Sequence, residues 1–155
     1  HVTEGRSLQD LVVYDPYYCT GAIHDQWRAL GLSKVINKDR DFYADIVSRA
    51  VPEHDVLVTN PPYSANHKAQ ILSYCAKSGR PWAVLLPTYV ITRGYYQQLL
   101  QVLNCPPFFI RPASGEYEFS HPELGDNVVK PGTVWFAHAG DLTPQIRTAC
   151  MKDVE

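Results

Sequence analysis

The 155-residue chain lacks several features that would assign it directly to a class of protein. No apolar run approaches the roughly 20 residues needed to cross a bilayer, and the chain does not open on a basic, apolar and small-residue leader. Its Lys and Arg residues form no block, and its formal net charge is −2. Because gripping duplex nucleic acid through its phosphates requires clustered cations, a simple electrostatic duplex-binding module is disfavoured. We expect no membrane partner.

Motifs for metal binding and covalent catalysis are missing as well. The histidines form no H-x-x-x-H pattern, and neither a Ser-His-Asp order nor a G-x-x-x-x-G-K phosphate loop occurs. The four cysteines are scattered, with no pair at metal-ligand spacing: Cys19, Cys75, Cys105 and Cys150. We therefore expect free thiols, no metal site and an intracellular location.

The chain does have the apolar material for a core, and its apolar runs alternate with helical stretches. The pattern predicts strands at residues 11–14, 34–37, 55–59, 82–86, 108–110 and 134–138, and helices at 22–32, 64–78 and 95–103. Ser64 is the expected N-cap of the second helix, and Pro87 is expected to stop the fourth strand. Strand and helix alternation predicts an α/β, Rossmann-like fold, as a single domain over residues 1–155 that a longer protein could contain.

Three predicted strands end in polar, turn-forming residues: 15–16, 37–39 and 60–62. In a doubly wound sheet, ligands bind beyond the carboxyl ends of the strands. If these strands are parallel neighbours, their polar ends converge on one edge of the sheet. The functional site is expected there.

The sequence Asn60-Pro61-Pro62-Tyr63 follows the clearest apolar strand. The Asn60 amide oxygen and the Pro61 carbonyl can each accept one N–H of an exocyclic amine, which frees the nitrogen lone pair for attack. The prolines stiffen the turn, and Tyr63 can stack on a flat substrate. The alternative is a strand-ending turn in which Asn60 only caps the backbone.

Residues 55–63, DVLVTNPPY, resemble the catalytic motif of amino-group methyltransferases that use S-adenosylmethionine. That group includes adenine-N6 methyltransferases of DNA and RNA and the glutamine methyltransferases of release factors. The resemblance implies that residues 60–63 are catalytic. It also implies a target base that leaves its duplex, and a mainly parallel sheet with helices on both faces and an antiparallel C-terminal strand pair.

Residues 15–21, DPYYCTG, resemble the D-P-F-x-G-x-G cofactor loop of the adenine-N6 enzymes, whereas release-factor enzymes usually lack the Asp-Pro start. The resemblance implies that Asp15, Tyr17, Thr20 and Gly21 surround the methionine part of S-adenosylmethionine, and that Pro16 also belongs to the cofactor-binding residues. Cys19 departs from the pattern, because it stands where the family has its first loop glycine. A β-carbon there can crowd the cofactor.

The resemblance assigns the remaining cofactor contacts to the residues after the second strand. Asp39 is expected to bind the ribose hydroxyls, and Asp41 and Phe42 the adenine ring, with Tyr43 able to share the stacking. The segment from Asp39 to Asp55 is short, so the usual helix and third strand are expected to be reduced.

The leading hypothesis is therefore methylation of adenine N6 in DNA or RNA. A glutamine methyltransferase, an enzyme for a small aromatic amine and a non-catalytic scaffold with the same fold remain open. Arg111, Tyr117 and Phe119 are possible substrate contacts, and His67 lies close enough in sequence to the catalytic turn to be one. Target recognition is expected from the 112–132 connection, a flanking domain or a protein partner.

Overall fold

The computed structural model describes residues 7–111, 132–144 and 146. Its strands are β1 (Val12–Tyr14), β2 (Lys34–Ile36), β3 (Val56–Thr59), β4 (Trp82–Pro87), β5 (Phe108–Ile110) and β6 (Thr133–His138). Its α-helices are α1 (Ile23–Ala29), α2 (Phe42–Ser48), α3 (His67–Ser78) and α4 (Gly94–Val102). Short 3-10 helices occupy Leu8–Asp10, Thr88–Thr92 and Gly140–Leu142. Every predicted strand and helix is present, with ends displaced by at most three residues.

Two predicted boundaries are wrong. Asn66, not Ser64, precedes the first turn of α3. Pro87 does not stop β4 but is its last residue, opposite Thr133 of β6. A proline is tolerated at the end of a strand, where its missing N–H interrupts no central ladder.

Helix α2 lies in the segment that was expected to be reduced. The Asp41 side chain accepts hydrogen bonds from the backbone N–H groups of Tyr43 and Ala44, at 2.9 and 3.1 Å, and so starts the helix. Arg49, in the left-handed conformation at φ 58°, ends it. No strand forms between residues 39 and 55, so the sheet passes directly from β2 to β3 along the chain.

The six strands lie in the order β2-β1-β3-β4-β6-β5. Strands β1 to β4 are mutually parallel, and β6 runs antiparallel between β4 and β5. The expected parallel sheet with an antiparallel C-terminal pair is confirmed. Because β1 lies between β2 and β3, the strand order reverses at β1. This is the switch point at which doubly wound sheets bind ligands.

Helices cover both faces of the sheet, as predicted. On one face α2, α3 and α4 pack over a core that includes Leu57, Ile71 and Phe136. On the other, Trp27 of α1 packs over Leu11 and Val13. Among the described residues no helix is both long and apolar enough to cross a membrane.

Candidate functional site

The ends of β1 and β3 are joined by a buried hydrogen bond. The Thr59 hydroxyl donates to the Asp15 carboxylate at 2.6 Å, and the backbone N–H of Tyr17 donates to the same oxygen at 3.1 Å. Asp15 is only 8% exposed. Burial raises the pKa of Asp15 to about 6, although both hydrogen bonds act to lower it. The predicted cofactor loop and the predicted catalytic turn therefore meet.

Asn37, at the end of β2, is hydrogen-bonded to the residues that follow β1. Its side-chain amide donates to the backbone carbonyls of Asp15 and Tyr17, both at 3.1 Å. Asn37 is 3% exposed, and its own carbonyl contacts the His24 ring nitrogen at 3.1 Å. The sequence indicated Asn37 only as a strand-ending residue. The three polar strand ends converge as expected.

The cofactor loop contains two residues in the left-handed region, Cys19 at φ 48° and Gly21 at φ 73°. The Gly21 N–H donates to the carbonyl of Tyr18 at 2.8 Å. The positive φ of Gly21 favours glycine, and a β-carbon there would also lie 2.9 Å from the Tyr18 hydroxyl. Cys19 adopts a conformation that also favours glycine, while Thr20 and Cys19 are exposed and Pro16 is buried.

The residues after β2 lie differently from what was expected. Asp39 is exposed beside the switch point, where a ligand can reach it. The Asp41 carboxylate caps α2. Phe42 is 3% exposed, with its ring centroid 6.1 Å from Tyr14 and 5.1 Å from Tyr74. In this structure the Phe42 ring is buried among core aromatics, and its stacking on a cofactor ring, which the resemblance implied, stays a prediction.

A cluster of three half-buried side chains, Tyr17, Tyr43 and His67, joins the cofactor loop to the starts of α2 and α3. The hydroxyls of Tyr17 and Tyr43 share a hydrogen bond of 2.5 Å, and the Tyr43 hydroxyl lies 3.3 Å from Nδ1 of His67. Burial raises the pKa of both phenols. Tyr43 and His67 therefore present the accessible rings that Phe42 does not.

In the predicted catalytic turn, residues 60–63, Asn60 and Pro62 are exposed, Pro61 is buried and Tyr63 is half-buried. The Tyr63 hydroxyl donates to the Asn60 amide oxygen at 2.9 Å. An amide oxygen has two acceptor positions, so one stays available for a substrate N–H. The arrangement fixes the orientation of the amide.

Lys68 is a residue of this site that the sequence reasoning missed. It is 9% exposed, and its ammonium group donates to the backbone carbonyl of Tyr63. It is absent from the ion pairs of the described residues. The sequence did indicate that Lys68 is buried, since Lys68 precedes Ile71, Leu72 and Cys75 at the spacing of the buried face of α3. A lysine in that register is a buried cation with a specific partner.

Comparison with known proteins gives no family assignment. No protein-family model and no curated protein matches the chain. Among solved structures, the chain is similar to the crystal structure of a SAM-dependent O-methyltransferase from Thermotoga maritima, with a TM-score of 0.44 and 16% sequence identity. The match covers 84% of this chain and 59% of that one. The chemistry of this chain has to be argued from its own residues.

Of the possible substrate contacts, Arg111 is exposed just beyond β5. Strand β5 runs parallel to β4, because both are antiparallel to β6, so Arg111 lies at the same edge of the sheet as the catalytic turn. Tyr117 and Phe119 lie outside the described residues. Within the part of the chain that the structure describes, no group of three or more His, Cys, Asp or Glu could hold a metal ion.

Proposed function

We propose that the chain is an S-adenosylmethionine-dependent N-methyltransferase that methylates N6 of adenine in DNA or RNA. The observation that carries the proposal is the bond between Thr59 and Asp15. It places the Asp-Pro-Tyr loop against the Asn-Pro-Pro-Tyr turn at the switch point of the sheet. Neither motif alone would separate a methyl-transfer site from an ordinary turn.

The residues at the ends of β1 and β2 fit the cofactor chemically. S-adenosylmethionine offers an ammonium group, two ribose hydroxyls and an adenine ring, and it supplies a methyl group on a sulfonium centre. Asp15 can accept from the ammonium group and Asp39 from the ribose hydroxyls. Tyr43, in place of Phe42, offers the ring for stacking. The left-handed Gly21 lets the loop backbone come close to a ligand.

The catalytic turn fits an amine substrate. Asn60 Oδ1 accepts one N–H of the exocyclic amine and the Pro61 carbonyl accepts the other, so the nitrogen lone pair is released from the ring. The Tyr63 hydroxyl holds the Asn60 amide, and the Lys68 ammonium holds the Tyr63 carbonyl. The methyl group would leave the sulfonium, which becomes a thioether, and the methylated nitrogen would then lose one proton to solvent, so positioning rather than a general base carries the catalysis.

Calorimetry and a labelled-methyl assay on adenine-containing oligonucleotides test the proposal, with the variants Asp39→Ala and Asn60→Ala. We expect micromolar cofactor binding by the wild type, weaker binding by Asp39→Ala, and unchanged binding but no transfer by Asn60→Ala. Transfer to peptide glutamine instead of adenine would replace the substrate assignment. Folded protein that binds no cofactor at millimolar concentration would overturn the enzyme assignment and leave the scaffold hypothesis.

A further inference from the structure

Charge is distributed unevenly along the chain. The 60 residues from Val56 to Gly115 contain no Asp or Glu, and they carry five cations: Lys68, Lys77, Arg80, Arg93 and Arg111. This stretch supplies β3, β4, β5, α3 and α4. Among the described residues, the carboxylates at the functional edge are Asp15, Asp39 and Asp41, which follow β1 and β2. The described residues that follow β3, β4 and β5 at this edge therefore carry cations and no carboxylate, a charge pattern that favours an anionic ligand.

Two of the five cations are exposed at that edge. Arg93 follows the 3-10 helix that begins directly after β4, and Arg111 follows β5. Thr59 pairs with Val84, and β4 continues three residues farther, to Pro87. The residues after Pro87 consequently lie beside and beyond the catalytic turn. Lys77 and Arg80 lie at the opposite edge, where α3 ends and β4 begins.

The segment from Thr88 to Arg93, here called the 88–93 platform, combines this charge with exposed apolar side chains. Tyr89 is 43% exposed and Ile91 is 44% exposed. The Arg93 guanidinium lies over the Tyr89 ring, 5.1 Å from its centroid, which holds the ring in place from one side. An aromatic ring beside a guanidinium is the combination that stacks a base and contacts its phosphate.

We propose that the 88–93 platform binds a single-stranded nucleic acid, with Tyr89 stacking on a base that flanks the target and Arg93 contacting the backbone. A target amine reaches Asn60 only when its base is unstacked, which favours a single strand over a duplex. The inference rests on the proposed function for the identity of the target base. Binding of a single-stranded nucleic acid to the platform can be measured independently of methyl transfer.

Fluorescence anisotropy with labelled adenine-containing 12-mers of single-stranded DNA and RNA, and with their duplexes, tests the platform without cofactor. We expect single strands to bind more tightly than duplexes, with Tyr89→Leu weakening binding about tenfold and Tyr89→Phe retaining it. Arg93→Gln should weaken binding and reduce the salt dependence by about one phosphate contact. The matched control Lys77→Gln removes the same charge from the opposite edge and should change nothing.

Equal weakening by Lys77→Gln and Arg93→Gln would overturn the inference, as would duplexes binding as tightly as single strands. A polyglutamate peptide that binds equally well would show a surface for acidic protein instead. Calorimetry with S-adenosylmethionine separates the two proposals. If the protein bound S-adenosylmethionine but the platform variants bound nucleic acid like the wild type, the methyltransferase assignment would stand. The nucleic-acid role of the 88–93 platform would then be refuted.

Discussion

Thr59 donates a 2.6 Å hydrogen bond to Asp15, a carboxylate that is only 8% exposed at the switch point of the sheet. Burial nevertheless raises the pKa of Asp15 from 3.8 to about 6. An acid whose pKa is higher in the folded state binds more protons when folded, so its contribution to stability falls as the pH rises from about 4 to about 7. At neutral pH Asp15 is ionised, although its burial favours the protonated form.

Replacing Asp15 by Asn should therefore separate stability from cofactor binding. The amide keeps an acceptor for Thr59 and Tyr17 but carries no charge to desolvate. We expect Asp15→Asn to raise the free energy of unfolding at pH 8 by up to about 3 kcal/mol, the equivalent of the raised pKa, and to weaken S-adenosylmethionine binding about tenfold or more. Urea unfolding at pH 4 and pH 8 measures the first effect, which should nearly vanish at pH 4. A variant less stable than the wild type at pH 8 would contradict it.

Removing the hydroxyl of Thr59 should change the pH dependence of cofactor binding. Thr59→Val keeps the shape of the side chain but removes a donor that lowers the pKa of Asp15. The pKa should rise farther, so that the pH at which cofactor binding is half-maximal moves upward from about 6. Calorimetric titration between pH 5.5 and 8.5 measures this shift. At the alkaline end the variant and the wild type should bind alike, and a loss of binding that is uniform across pH would indicate structural damage instead.

Lys68 is expected to act through the catalytic turn rather than on a ligand. Lys68→Met retains the packing of the stem but leaves the Tyr63 carbonyl without its donor. We expect stability to change by less than about 1 kcal/mol, since an uncharged isostere avoids the cost of a buried ammonium. The kcat of methyl transfer should fall about tenfold, with the affinity for S-adenosylmethionine unchanged. Steady-state kinetics measures kcat and the KM for S-adenosylmethionine separately.

Two further variants test whether loss of the hydrogen bond from Lys68 to the Tyr63 carbonyl causes the fall in kcat. Lys68→Gln restores a neutral donor and should recover part of the lost kcat, whereas Lys77→Met, on the exposed end of the same helix, should behave like the wild type. A kcat for Lys68→Gln as low as that for Lys68→Met would refute the role of the hydrogen bond.

The strands and the edge at which they meet could be predicted because local rules determine them. Apolar runs ended by Asp15 and Asn60 indicate buried parallel strands, and parallel strands bring their polar ends together. The roles of Asn37 and Lys68 could not be read in the same way. Asn37 donates to carbonyls 20 and 22 residues earlier in the chain, and Lys68 donates from the buried face of α3, so the sequence does not reveal which carbonyl either side chain will meet.

Phe42 is buried, although the sequence pattern placed it at a cofactor contact. An aromatic residue after an acidic one matched a cofactor contact in sequence, but the short connection after β2 turns at once into α2. With Asp41 as N-cap, the first helical residue points into the core, and the next one, Tyr43, stays accessible. A shift of one residue along a helix rotates a side chain by about 100° and decides whether it is structural or functional.

Substitutions at these two neighbours should accordingly have contrasting effects. Phe42→Ala should lower the free energy of unfolding by about 3–5 kcal/mol, as for other buried phenylalanines. Tyr43→Leu should cost less stability but weaken cofactor binding severalfold through the lost ring. Thermal melting and calorimetry on both variants, with the milder Phe42→Leu as a folded control, distinguish them. Loss of cofactor affinity in folded Phe42→Leu would restore the stacking role to Phe42.

Cys19 provides a test of the cofactor loop itself. Its backbone adopts φ 48°, a region that costs about 1 kcal/mol or more for a residue with a β-carbon. Cys19→Gly should relieve this cost and remove an atom that can crowd the ligand, so we expect S-adenosylmethionine to bind severalfold more tightly. Cys19→Ala keeps the β-carbon and the strained backbone while removing the thiol, and should bind like the wild type. If alanine improved binding as much as glycine, the thiol rather than the backbone would be the obstacle, and the loop would not require glycine at this position.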